Sequence, residues 1–173
     1  MNAIIGFTEL LEKHLDDKEL AKKLPYREMS KNGWVPETRD ITEKVIHLRK
    51  YFEVVKLEII KNMQLSKIAC RRLAETEKSD LALLAWAQKA KLEARSIDTS
   101  LVDLKTLKKS LPEIRSMTTM NPSDFCPKLI ELLSGCGIAL VFLPHIGGSF
   151  LHGATFYDGN KIVVGLTVRG KDA

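Results

Sequence analysis

His145 and His152, on either side of Gly147-Gly148, are the one arrangement in this 173-residue chain whose types and spacing suggest a site. Two imidazoles in a loop and at a strand start can share a metal ion. A zinc centre, however, needs three or four ligands and, for hydrolysis, a general base, and neither stands nearby. Ordinary loop and strand histidines are the reading this neighbourhood favours. Gly147-Gly148 lacks the Lys-Ser/Thr of a phosphate-binding loop and does not open a helix. His47, between Ile46 and Leu48, has no second ligand three or four residues away and reads as a partly exposed helix residue. No Ser or Cys sits in a nucleophile-elbow setting. Cys70, Cys126 and Cys136 are odd in number, widely spaced and without C-x-x-C, the pattern of three buried free thiols in a reducing compartment. No residue is therefore assigned a catalytic, cofactor-binding or metal-ligating role, and no cofactor is expected.

The elements that would carry these residues change character along the chain. The expected fold class is α+β: a mainly helical N-terminal region, 1–118, followed by a subdomain, 119–173, in which a helix packs on a small antiparallel three-stranded sheet. Over residues 1–23, Ile4, Phe7, Leu10, Leu11, Leu15 and Leu20 recur at helical spacing. Pro25 opens a short helix that Gly33 closes in a left-handed cap, and Asp40 with Glu43 forms a capping box for a helix whose apolar face would be Ile41, Val45, Leu48, Phe52 and Val55. Leu57 to Glu77 reads as one bent helix or two short ones, with Arg71-Arg72 on a solvated edge. Ser79-Asp80 starts an Ala/Leu-rich helix with Trp86 as core anchor. Ser100 with Asp103 caps a helix carrying Leu101, Leu104, Leu107, Leu111 and Ile114, which Pro112 should kink or split.

Asn121-Pro122 opens a last helix, ending at Gly135. The continuous apolar run Ile138 to Leu143 reads as a strand covered on both faces. His145 to Ser149 reads as a flexible connection. Leu151 to Tyr157 and Lys161 to Val168 read as a hairpin around the three-residue loop Asp158-Gly159-Asn160.

Lys and Arg number 27 against 22 Asp and Glu, a net charge of +5. The surplus lies wholly before Met117, spread over many helical turns as on a solvated face, so direct DNA binding is not expected. The longest apolar run is far short of the roughly 20 residues of a membrane-spanning helix. No basic-then-apolar leader opens the chain, and a cytoplasmic location is expected.

Four stretches occur in an order that resembles a known family: LPYREMSKNGWV (Leu24 to Val35), LALLAWAQKAKLEA (Leu81 to Ala94), LPEIRSMT (Leu111 to Thr118) and GIALVFLPHIGGSFLHGATFYDGNKIVVGLTVRGKDA (Gly137 to Ala173). They resemble the middle and C-terminal parts of HigA-like antitoxins and regulators fused to an ImmA/IrrE-type metallopeptidase domain. The resemblance implies a helix-turn-helix domain, a helical connector and a zincin-like domain whose active-site helix carries H-E-x-x-H. In such a helix two His bind zinc and the Glu activates water. Met1 falls about where the connector would begin and Ala173 where the family would run on into that helix, so no residue here inherits a metal or catalytic role. The expectation is a non-catalytic regulatory or protein-interaction module holding a toxin, a regulator or a second copy of itself. The alternative is a fragment of a zinc metallopeptidase whose H-E-x-x-H helix lies beyond residue 173. With that helix missing, a sheet face including Ile138, Leu140, Phe142, Ile162 and Val164, or their alternates, is expected to be partly exposed.

Overall fold

The computed structural model describes residues 16–62, 68–72, 76–147, 149 and 151–168. The apolar periodicity of residues 1–15 lies outside them, and residues 16–23 are helical (α1). Then follow α2 (Tyr26–Lys31), α3 (Ile41–Phe52), a 3-10 helix (Leu57–Asn62), β1 (Ala69–Arg72), α4 (Glu77–Ala94), α5 (Leu104–Met117), α6 (Pro122–Gly135), β2 (Ile138–Pro144), β3 (Leu151–Asp158) and β4 (Lys161–Val168). The class is α+β, but the sheet is mixed and four-stranded, in the order β1-β3-β4-β2, rather than three-stranded and antiparallel. Packing divides the chain into two compact units: Met1–Leu65, Arg72–Gln88 and Pro144–Leu151, and Ser66–Arg71, Lys89–Leu143 and His152–Ala173, described over the residues given above.

In the first unit the helix ends follow local chemistry. After α2, Gly33 has φ +70. Its amide bonds to Ser30 O at 2.9 Å and the Trp34 amide to Met29 O at 2.8 Å, the paired bonds of a Schellman ending. Asp40 caps α3 by accepting from the Thr42 and Glu43 amides at 2.7 and 2.9 Å, and the helix ends at Phe52 with Glu53 left-handed, so Val55 lies past it and is exposed rather than on its apolar face. The return half of the box runs through Thr38, whose hydroxyl donates to Glu43 Oε2 and accepts from the Asp40 amide. α4 begins earlier than Ser79-Asp80. Thr76 and Ser79 exchange amide-to-hydroxyl bonds of 3.1 and 2.8 Å, so Thr76 is the cap and the buried Ser79 its partner inside the helix. Trp86 is fully buried, and Tyr51 Oη donates to Ala85 O at 2.7 Å. In the connection after β2, Ile146 and Ser149 are buried, and Ser149 bonds back to Ile146 O through its amide and its hydroxyl.

The second unit holds the sheet. The stretch read as helix up to Glu77 contains β1, so Cys70 lies on an edge strand; pairing within the sheet overrides a local pattern that suits helix equally well. β3 and β4 are antiparallel with Asp158 opposite Lys161, which leaves a two-residue loop, Gly159-Asn160, instead of three. Only Gly159, with φ +60, has a positive φ there, the type II′ arrangement. The Ile162 amide donates to Gly137 O at 3.0 Å, setting the starts of β4 and β2 side by side and parallel. β2 is buried on both faces, as its unbroken apolar run implies. On one face Ile138, Leu140 and Ile162 pack against Leu129 and Leu133 of α6, with Phe142 and Val164 at the margin. Of the face expected to be partly exposed, α6 thus covers Ile138, Leu140 and Ile162, while Phe142 and Val164 stay half-buried.

Candidate interaction surface

α5 is positioned by a strap. The Ser100 and Asp103 amides donate to Ser134 O and Cys136 O, and Gly137 (φ +82) leaves room for the Val102 backbone, to which an added Cβ would approach within 2.5 Å. Asp103 then caps the helix alone, accepting from the Lys105 and Thr106 amides at 2.9 and 3.1 Å and from the Thr106 hydroxyl at 2.7 Å. These bonds, the Thr106 hydroxyl first, hold the Asp103 carboxyl below its ordinary range. α5 runs unbroken through Pro112, so the expected split does not occur. Pro112 and Lys108, whose carbonyl loses its intrahelical partner, are both exposed, where water can replace the bond.

At 100° per residue, Leu104 and Leu111 fall on one line of the helix, while Leu107 and Ile114 fall roughly 60–80° to one side. Leu107 and Ile114 join the core and Met117 is buried. Leu104 and Leu111 are left 53% and 44% exposed, and Leu101, just before the helix, 80%. On their other flank the same geometry sets Arg115 and Lys108, both exposed. The result is a line of leucines bordered by a line of cations. The sheet adds a second open area in the same unit. Register places Gly153, Thr155 and Tyr157 of β3 on the face that carries Leu166, Val164 and Ile162. Tyr157 and Leu166 remain exposed there, beside a shallow groove of about 450 Å³ lined by Cys70, His152, Thr155 and Leu166.

The residues singled out as chemical candidates form no catalytic constellation. His145 is exposed in the first unit, and His152 is exposed on β3 in the second. Among the described residues no group of three or more His, Cys, Asp or Glu is placed to hold a metal ion. Cys136 is buried, but Cys70 and Cys126 are half-buried free thiols rather than core residues. His47 is half-buried, with Nδ1 2.7 Å from Tyr26 Oη and the two rings stacked. The Tyr26 hydroxyl donates to Pro36 O at 2.7 Å. Its single proton being so directed, His47 Nδ1 is the donor of the pair, which selects the Nδ1–H tautomer. Burial, reinforced by the charge of Glu43, raises the Tyr26 phenol above its ordinary value.

Sequence reasoning missed Asp17, 1% exposed, which accepts from Arg49 Nε at 2.7 Å and from the Leu57 amide at 2.9 Å. Partners 32 and 40 residues away leave no local signal. Among the described residues no helix is long and apolar enough to cross a membrane. Comparison with protein-family models, curated proteins and solved structures returns no match for this chain.

Proposed function

We propose that this chain is a cytoplasmic, non-catalytic regulatory module of the HigA-like or ImmA/IrrE-like kind, acting in toxin–antitoxin, phage or stress-response regulation by holding a protein partner. The ordered resemblance of four stretches motivates the class of protein. The observation that carries the interaction reading is the leucine line of α5, exposed although the helix is capped, strapped and packed on its other side. Large apolar side chains grouped in water are costly in a free protein and serve to meet a partner. A second copy of the chain is the simplest occupant.

Sedimentation velocity over a wide concentration range is expected to show reversible self-association, and Leu104→Glu with Leu111→Glu to leave a folded monomer. Wild-type protein that stays monomeric throughout overturns the assignment of that surface to self-association. Zinc content and peptidase activity are expected to be null. Stoichiometric zinc with peptide cleavage overturns the non-catalytic part and favours the metallopeptidase alternative.

A further inference from the structure

In the first unit two grooves gather more cations than carboxylates along their linings. A groove of about 490 Å³ is lined by Arg27, Lys31, Arg39 and Lys44, with the hydroxyls of Ser30 and Thr38 among them and Glu37 as the one carboxylate of its lining. Arg27 and Arg39 are exposed, and neither makes a hydrogen bond or ion pair among the described residues, whereas Lys31 meets Glu28 at 3.3 Å. Lys44 lies over the Tyr26 ring at 5.4 Å. An adjoining groove of about 580 Å³ shares Tyr26, Arg27 and Lys44 with the first. It adds an apolar floor of Leu24, Pro25 and Ile41 and two further cations, Lys22 and Lys78, against Glu28.

We propose that these two grooves form one binding site for an extended acidic segment of a partner protein, its carboxylates meeting Arg27, Arg39, Lys31 and Lys44 and its apolar side chains resting on Leu24, Pro25 and Ile41. The unpartnered guanidiniums present planar donor forks that suit carboxylates bidentately. Cations spread over two grooves match charges spaced along a chain better than one compact dianion. A single-stranded nucleic acid would need aromatic faces for its bases. Tyr26 is buried with its face taken by Lys44 and its hydroxyl committed to Pro36 and His47, so the groove offers no such platform. The apolar floor suits side chains instead. The site is built from residues of the first unit and the α5 surface from residues of the second, and the proposal stands independently of the self-association reading.

The test is fluorescence anisotropy on the full chain with three labelled probes of equal length: a peptide alternating Glu with Leu, its Lys-for-Glu counterpart, and single-stranded DNA. The Glu-Leu peptide is expected to bind, more weakly as salt rises, and the Lys peptide not to bind. Arg27→Ala with Arg39→Ala is expected to weaken binding roughly tenfold, the sum of two exposed charge pairs. Lys128→Ala, which removes an exposed cation of α6, is expected to leave it unchanged. The two arginines have no partners to lose, so the double variant should keep the wild-type thermal midpoint, and circular dichroism checks this. No binding of the Glu-Leu peptide, equal binding by the double variant, or tighter arginine-dependent binding of the DNA each overturns the proposal.

Discussion

Asp17 is a carboxylate taken almost wholly out of water, and its two oxygens are engaged by the Arg49 guanidinium and the Leu57 amide. Removing one partner of such a pair costs far more than the pair contributes, because the other charge stays buried. Arg49→Leu is therefore expected to destabilise the protein by about 3–5 kcal/mol in urea unfolding. The capping aspartates behave differently because they are exposed. The Glu43 and Thr42 amides hold the Asp40 carboxyl below its ordinary range, and the Thr106 hydroxyl and amide do the same for Asp103. A depressed folded-state pKa contributes stability that is present above the unfolded value and is lost as pH falls through the folded one. The thermal midpoint should thus drop as pH falls below about 4. Asp40→Asn with Asp103→Asn, in which Asn still caps, should make that drop shallower with little change at pH 7. Both caps were legible from local spacing. Asp17 was not, since its role exists only once distant segments meet.

Helices and strands followed the sequence where a signal was local, as in the Gly33 ending, the Asp40 cap, the start of α6 at Pro122 and the β3–β4 hairpin. They departed from it where a distant partner decided. β1 is four residues long, too short to declare itself, and it exists because β3 offers an edge. Thr76 displaced Ser79 as the cap of α4 because two short hydroxyl side chains can satisfy each other's amides across the first turn. The turn into β2 depends on Gly137, where a positive φ coincides with close approach of the Val102 backbone. Gly137→Ala is expected to cost at least about 2 kcal/mol, through left-handed strain and displacement of the segment that leads into α5. Chemical denaturation measures the loss. A variant as stable as wild type would mean that the strap yields freely.

Trp86 has no exposed surface in the first unit, and its indole N–H has no partner among the described residues. Its contribution is therefore volume rather than a hydrogen bond. Trp86→Ala should cost about 3–5 kcal/mol, and Trp86→Phe clearly less, since Phe keeps much of the volume and removes the unpaired donor. Equal losses in equilibrium unfolding would contradict this. The division into packing units draws residues 144–151 to the helical unit and 66–71 to the sheet unit. No boundary signal in composition marks these exchanges, because they record which surfaces close on one another.

By itself the sequence determined the α+β class, most helix caps, the apolar strand β2 and the hairpin, because each depends on spacing within a few residues or on an unbroken apolar run. Tertiary structure alone decided that β4 lies between β3 and β2, that α6 covers the face of Ile138, Leu140 and Ile162, and that Leu104 and Leu111 stay in water while Leu107 and Ile114 do not. All four α5 residues follow the same helical period. Which of them is buried depends on how far the neighbouring surface extends around the helix, and periodicity carries no information about that extent.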